Sequence, residues 1–227
     1  MDMEERFDAL LRDTISFLET GMRPMSGAVQ TENQTAPNPP VRYDPALDDE
    51  IRRCQKCRLH ERRKNAVPGA GDHGADILLV GEGPGEQEDI QGLPFVGKAG
   101  QLLTKMLAAI DLSREQVFIT NIVKCRPPGN RNPLPDEIET CLPYLERQMG
   151  MIRPLIIVCL GGPAAKTLLK SDLSLTRLRE HTHRYEDKPV IATYHPAAVL
   201  RYPEKYKRAV WNDLKLLRDL YRNLRGL

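Results

Sequence analysis

The sequence predicts an α/β fold in which a parallel sheet is covered by helices on both faces. Two observations carry this: four short, β-branched apolar runs recur between residues 76 and 194, and each is followed by a stretch with helical spacing of its apolar residues. Composition agrees with a soluble globular chain, with 227 residues, 41% hydrophobic content, and 33 Lys and Arg against 31 Asp and Glu. No run of 18 apolar residues occurs, and the acidic opening MDMEERFDALL is unlike an export signal, which is basic and then apolar. Membrane insertion and export are not expected, so the cytoplasm is the default location.

In chain order, Phe7, Leu10, Leu11, Ile15 and Leu18 recur at spacings of three and four, which predicts an amphipathic helix over 1–21, closing near Gly21. Residues 22–46 include Ala36-Pro37-Asn38-Pro39-Pro40 and offer little to bury, as in a flexible linker. Residues 47–227 form the folded body. Its first strand is expected at Asp76-Ile77-Leu78-Leu79-Val80, followed by a helix over Ala99–Ile110; the second is expected at Val117–Val123, followed by a helix over Asp136–Met151. The third strand, Leu155–Leu160, leads into a short helix over Ala164–Leu169, and the fourth, Pro189–Tyr194, precedes a helix over Glu204–Leu224. Charge divides along the same boundary. Residues 1–50 hold four Arg and no Lys against eleven acids, a net −7, while 51–227 hold 29 basic against 20 acidic residues, a net +9. A body of that sign can meet a polyanion such as nucleic acid. The acidic helix either packs on the body or is tethered to recruit a protein partner.

Ligands of parallel sheets bind beyond the C-terminal strand ends, and there the unusual residues fall. The first strand is followed by Gly81-Glu82-Gly83-Pro84-Gly85-Glu86-Gln87-Glu88-Asp89, the second by Lys124-Cys125-Arg126-Pro127-Pro128 and the fourth by His195-Pro196-Ala197-Ala198. The glycine loop is not a dinucleotide fingerprint, because Glu86 stands where the third glycine belongs, nor a phosphate loop, because Gly97-Lys98 is followed by Ala99. Its acids repel phosphate, whereas its glycines allow close backbone approach to a flat ligand. Phe95, between Gly92 and Gly97, can stack on a base or anchor the core. Asn121 ends a strand with one donor and one acceptor, matching either a base edge or a structural bond. His195 is held extended by Pro196 and can donate to a developing oxyanion without a full charge; His60, His73, His181 and His183 lack such a setting. Cys54 and Cys57 form a CxxC pair that, with Cys125 and Cys141, suits either a cubane iron–sulfur cluster or a tetrahedral zinc site. Cys159, inside a strand, reads as a buried inert thiol.

Taken together, GEGPGEQEDIQGLPFVGKAGQLL at 81–103, TNIVKCRPPGNRNP at 120–133, YHPAAVLR at 194–201 and the CxxC pair resemble the family 4 uracil-DNA glycosylases, the iron–sulfur branch of that superfamily. The resemblance covers most of residues 51–201 and implies a three-layer α/β/α sandwich around a central four-stranded parallel sheet, in agreement with the strand count. It implies a DNA-repair enzyme that flips deoxyuridine from DNA and hydrolyses the N-glycosidic bond, releasing uracil and leaving an abasic site. It further implies a structural 4Fe-4S cluster on Cys54, Cys57, Cys125 and Cys141. Glu82 and Gly83 would line the uracil pocket, Phe95 stack on the base, Asn121 read its polar edge and His195 contact the uracil oxygen.

In the best-known branch of the superfamily a water-activating Asp occupies the position of Gly83, so Glu82 is the expected water activator here, with Glu86 and Asp89 behind it. Glu88 is expected to crowd C5 and exclude thymine, Leu200 to fill the gap left by the flipped base, and Arg201 to meet a phosphate. A related branch traps uracil covalently with a His soon after its CRPP-like segment; here Gly129-Asn130-Arg131-Asn132-Pro133 contains none, so ordinary turnover is expected, and a repair enzyme of this size is expected to act as a monomer. The competing reading, a non-catalytic cluster-bearing DNA-binding protein, leaves Phe95, Asn121 and His195 without work.

Overall fold

Ile77-Leu78-Leu79-Val80, Phe118-Ile119, Ile156-Ile157-Val158 and Val190-Ile191 are apolar at consecutive positions, the pattern of strands buried on both faces. The computed structural model, which describes residues 5, 7–9, 12 and 43–227, pairs them as the centre of a six-stranded sheet. The strands are β1 (Ala70–Gly71), β2 (Ile77–Gly81), β3 (Phe118–Asn121), β4 (Ile156–Leu160), β5 (His183–Tyr185) and β6 (Lys188–Thr193), in spatial order β1-β3-β2-β4-β6-β5. β3, β2, β4 and β6 are parallel, as expected. β1 and β5 are short antiparallel edges beyond the expected four.

The helices are α1 (Pro45–Arg53), α2 (Glu86–Gln91), α3 (Lys98–Ala108), α4 (Pro135–Ile152), α5 (Gly162–Leu169), α6 (Leu175–Arg179), α7 (Pro196–Arg201) and α8 (Pro203–Arg225). Side chains alternate across the sheet with period two, so each strand feeds two core layers. Leu78, Val80, Phe118 and Ile157 pack with α1, α4 and α5, whereas Ile77, Leu79, Ile119 and Val158 pack with α3 and α8. The result is the three-layer arrangement.

Pro45 and Ala46, assigned to the linker on sequence, open α1: Asp44 caps it, accepting the Ala46 N–H at 2.9 Å, and Leu47 and Ile51, one turn apart, are fully buried. Residues 5, 7–9 and 12 are helical, and Phe7 is buried with its ring stacked on Trp211 at 4.9 Å, beside an Asp8–Lys207 ion pair of 2.7 Å. Apart from those positions, the helix expected over 1–21 and the linker up to residue 42 lie outside the described residues. Among the described residues no helix is long and apolar enough to cross a membrane.

Candidate active site

The parallel register aligns the strand ends: Gly81 pairs with Asn121, and Leu160 with Thr193. From this rim the loops expected to carry chemistry enclose a cleft of about 450 Å³, whose lining includes Glu82, Gly83, Glu88, Phe95, Asn121, His195 and Arg201. Leu200 does not line it; it packs, partly buried, against the core layer of α3 and α8. Glu86 and Asp89 are also outside the cleft. Glu86 faces Arg126 at 3.6 Å, and buried Asp89 accepts the N–H groups of Lys64 and Asn65 at 2.8 and 3.2 Å.

Phe95 adopts a left-handed backbone, φ 51°, which a bulky residue keeps only when its surroundings hold it there. Arg114 supplies part of that hold, donating to the carbonyls of Phe95 and Pro94 at 3.0 and 2.8 Å. Glu88 supplies more: its Oε1 accepts the N–H groups of Val96 and Gly97, both at 2.8 Å. Glycine makes the approach possible, since a Cβ on Gly100 would lie 1.8 Å from the Phe95 carbonyl oxygen and one on Gly81 2.7 Å from Phe95 Cζ. The fixed Phe95 ring lies 5.5 Å from the His195 ring, centroid to centroid.

Asn121 is buried, and its Oδ1 has no hydrogen-bond partner. Leaving such an acceptor unpaired costs about 1–3 kcal/mol, a cost that makes sense where a ligand donor completes it. The Asn121 backbone carbonyl is held from behind by Lys124, whose Nζ donates to it at 2.7 Å, to Thr120 Oγ1 at 2.6 Å and to Gln148 Oε1 at 2.7 Å.

His195 caps α7, its Nδ1 accepting the Ala197 N–H at 3.1 Å, so the proton of a neutral ring resides on Nε2. Desolvation lowers its pKa to about 4, against a weaker opposing pull from Glu88. At neutral pH the ring is therefore an uncharged donor. Its strand end is braced by Asp213, which accepts from Thr193 at 2.6 Å and from Arg179 at 2.8 Å through each oxygen. Glu82 is half-buried, and desolvation pushes its carboxyl pKa up. Gly83 offers no side chain, and a Cβ there would meet Val123 Cγ2 at 2.8 Å. Asn130, Arg131 and Asn132, not singled out on sequence, also line the cleft, with Arg131 bonded to buried Glu137 at 2.7 and 2.8 Å. The polar Asn-Arg-Asn run one residue after the CRPP segment is their signal.

Cys54, Cys57, Cys125 and Cys141 line a second cavity together with Arg63, Lys124 and Tyr144. Arg63 donates to Cys125 Sγ at 3.0 Å and the Lys124 N–H to Cys141 Sγ at 3.3 Å, while the buried Tyr144 hydroxyl has no partner. Burial raises the pKa of the Cys57 and Cys141 thiols and takes that of Cys125 to about 11, so ionising this set calls for a strongly cationic guest. Among the described residues no three His, Cys, Asp or Glu side chains are arranged for a single metal ion. An all-thiol set with N–H donors to sulfur and a spare hydroxyl fits an iron–sulfur cluster. Cys159, fully buried with its pKa raised to about 12, is an inert core thiol.

A parallel sheet whose C-terminal rim holds an aromatic platform, an amide edge and a neutral imidazole defines the class of α/β proteins that take a nucleobase into a pocket. Residues 68–215 match the uracil DNA glycosylase superfamily. The chain is 51% identical over 186 residues to the type-4 uracil-DNA glycosylase of Archaeoglobus fulgidus, covering 77% of this chain and 93% of that protein. It is 51% identical over 182 residues to that of Saccharolobus solfataricus (76% and 84%) and 41% identical over 172 residues to that of Thermotoga maritima (74% and 90%). The chain belongs to the type-4 uracil-DNA glycosylases of that superfamily.

Proposed function

We propose that this protein removes uracil from DNA by hydrolysing the bond between base and deoxyribose, leaving an abasic site for base excision repair. The observation that carries this is the unpaired Asn121 Oδ1 in the cleft that also holds the Phe95 ring and the His195 imidazole. Uracil presents an N3–H donor to that acceptor, whereas cytosine presents a lone pair. Access requires the nucleotide to leave the duplex, at a cost of a few kcal/mol.

Cleavage of the C1′–N1 bond leaves an oxocarbenium-like sugar and a uracil anion. His195, protonated on Nε2 and neutral, donates to O2 as charge develops there. Phe95 stacks on the extruded ring, and the backbone beside Gly83 closes on it. Glu82 takes the proton of the attacking water; its raised pKa and place in the cleft support that role, while Glu88 already spends one oxygen on Val96 and Gly97. The Glu88 carboxylate, fixed by those bonds, bars a 5-methyl group, and Glu88→Ala should begin to release thymine. Arg201 meets a backbone phosphate, and the part of Leu200 left outside the core fills the gap at the flipped-out position.

Cys54, Cys57, Cys125 and Cys141 hold a 4Fe-4S cluster whose contribution is to cross-link these segments. Because one chain contains the whole cleft, a monomer in the cytoplasm is sufficient, and any partner of the acidic N-terminal helix acts in recruitment.

The test is base release from a labelled oligonucleotide carrying one uracil, beside its thymine twin, in EDTA with anaerobically purified protein. Alkali-labile cleavage of the uracil strand alone is expected. DNA binding without cleavage by cluster-loaded protein would favour the non-catalytic reading.

A further inference from the structure

Lys124 is a long basic side chain turned entirely inward, with 1% of its surface exposed. Lysine almost never adopts that position without a full set of acceptors, and here each of its three donors has one: Thr120 Oγ1, Gln148 Oε1 and the Asn121 carbonyl. The acceptors are themselves anchored, since both the Thr120 hydroxyl and the Gln148 amide donate to the Pro68 carbonyl, at 2.7 and 2.9 Å. The network therefore runs from the segment before β1, through α4, to the last peptide of β3. It meets β3 at the residue whose side chain enters the cleft. Lys124 also borders the cysteine cavity, and its own N–H is bonded to Cys141 Sγ.

We propose that Lys124 is a positioning residue for base recognition, its ammonium fixing the Asn121 peptide so that the Asn121 amide meets the base edge in one orientation. The inference rests on the assignment of Asn121 as the base reader and extends it. Beyond Asn121 two more N–H groups bond to the chain that follows β2, Ile122 to the Gly81 carbonyl at 2.9 Å and Val123 to the Glu82 carbonyl at 3.1 Å, so the peptide between Asn121 and Ile122 is tied through its N–H on one side and through its carbonyl to Lys124 on the other. Without the ammonium that peptide keeps only the tie through its N–H, and the Asn121 side chain beside it is held less closely in the direction of the base. Because the same residue is bonded to Cys141, the cysteine site and the base pocket share one fixed point.

The experiment is a double-mutant cycle on the cluster-loaded protein with wild type, Lys124→Met, Asn121→Ala and the double variant. It reads single-turnover uracil release, visible absorption of the cluster per chain and the thermal midpoint. Lys124→Met should slow release at least tenfold in the wild-type background and less than twofold in the Asn121→Ala background, with cluster absorption retained. A general loss of packing would slow both backgrounds equally, and that result, or no slowing at all, overturns the proposal. If Lys124→Met does not fold or loses its colour, Thr120→Val, which removes one acceptor and leaves the ammonium and all four cysteines, goes through the same cycle. It should slow release about threefold or more with Asn121 present and not without it; any other pattern overturns the proposal. Absence of release by the wild type, or an Asn121→Ala rate equal to wild type, would instead defeat the underlying base-reading assignment.

Discussion

His195 is useful because one of its nitrogens is already occupied. With Nδ1 accepting the Ala197 N–H, the ring can present only Nε2–H to the cleft, and with its pKa near 4 it does so uncharged. Removing a single preorganised donor to a developing anion typically costs about 100- to 1,000-fold in rate. His195→Ala should therefore slow single-turnover release by about that factor while affinity for an abasic site changes little; an unchanged rate would remove His195 from the chemistry. The depressed pKa also has a sign. Between pH 6.5 and about 4 the unfolded chain binds a proton that the folded ring resists, so His195 favours folding above pH 6.5, and that contribution is lost as pH falls toward 4. Glu82 behaves oppositely. Its raised pKa means that holding the ionised form in the fold costs stability above the carboxylate range, a cost that an activated-water role explains. Glu82→Gln should raise the melting temperature at pH 7, slow release, and abolish an acid limb of the rate profile lying above the ordinary carboxylate pKa. A slower enzyme that keeps the limb would assign the proton to another group.

At the scale of elements, the pocket depends on how closely α3 approaches the Phe95 turn. Gly100 lies in α3, and a methyl there would collide with the Phe95 carbonyl at 1.8 Å, a backbone atom that cannot step aside alone. Gly100→Ala should cost about 1–3 kcal/mol and raise KM for uracil-containing DNA. Gly150→Ala in α4, where nothing lies within 4 Å of the added carbon, should instead stabilise by about 0.5–1 kcal/mol with unchanged kinetics. Denaturant melts and steady-state assays on the pair separate a specific collision from a general intolerance of alanine. The same scale shows which elements could be read in advance. β2, β3, β4 and β6 were legible because strands buried on both faces are continuous apolar runs, and α4 and α8 because several helical turns repeat one face. α2 and α7, six residues each, are too short for periodicity to distinguish them from loops, and α1 is hidden because only Leu47 and Ile51 mark its buried side. At the site, Asn121 and His195 stood out by residue type at strand ends, and Phe95 as an aromatic in a loop bounded by Gly and Pro. Arg114 and Lys124 did not, because what marks them is made by folding, Arg114 reaching the Pro94 and Phe95 carbonyls and Lys124 being turned inward onto Thr120, Asn121 and the distant Gln148, and such relations leave no pattern in the sequence.

For the whole molecule, the cysteine site joins parts of the chain that the sheet does not. Cys54 and Cys57 follow α1, Cys125 follows the turn after β3, and Cys141 lies in α4, so one guest would connect a helix preceding the sheet, a loop of the cleft rim and the longest helix on that face. Glu50 and Arg147 already join α1 to α4 at the surface at 2.6 Å, but an exposed ion pair contributes at most about 1 kcal/mol. The buried Leu47 and Ile51 add an apolar tie, and a guest on the four thiols would add a covalent one. Cys54→Ser should abolish the visible absorption of the purified protein, lower its melting temperature by several degrees, and open the segment from Tyr43 to Arg63 to proteolysis before the sheet yields. Cys159→Ala is the control, since Cys159 is fully buried in β4 and does not line that cavity. It removes a thiol from the core and should lower the melting temperature too, yet leave the colour and the protease pattern intact. If Cys54→Ser kept its colour, or if both variants opened the same segment, the four cysteines would be packing residues and the tie between α1 and α4 would have to come from the buried Leu47 and Ile51 alone.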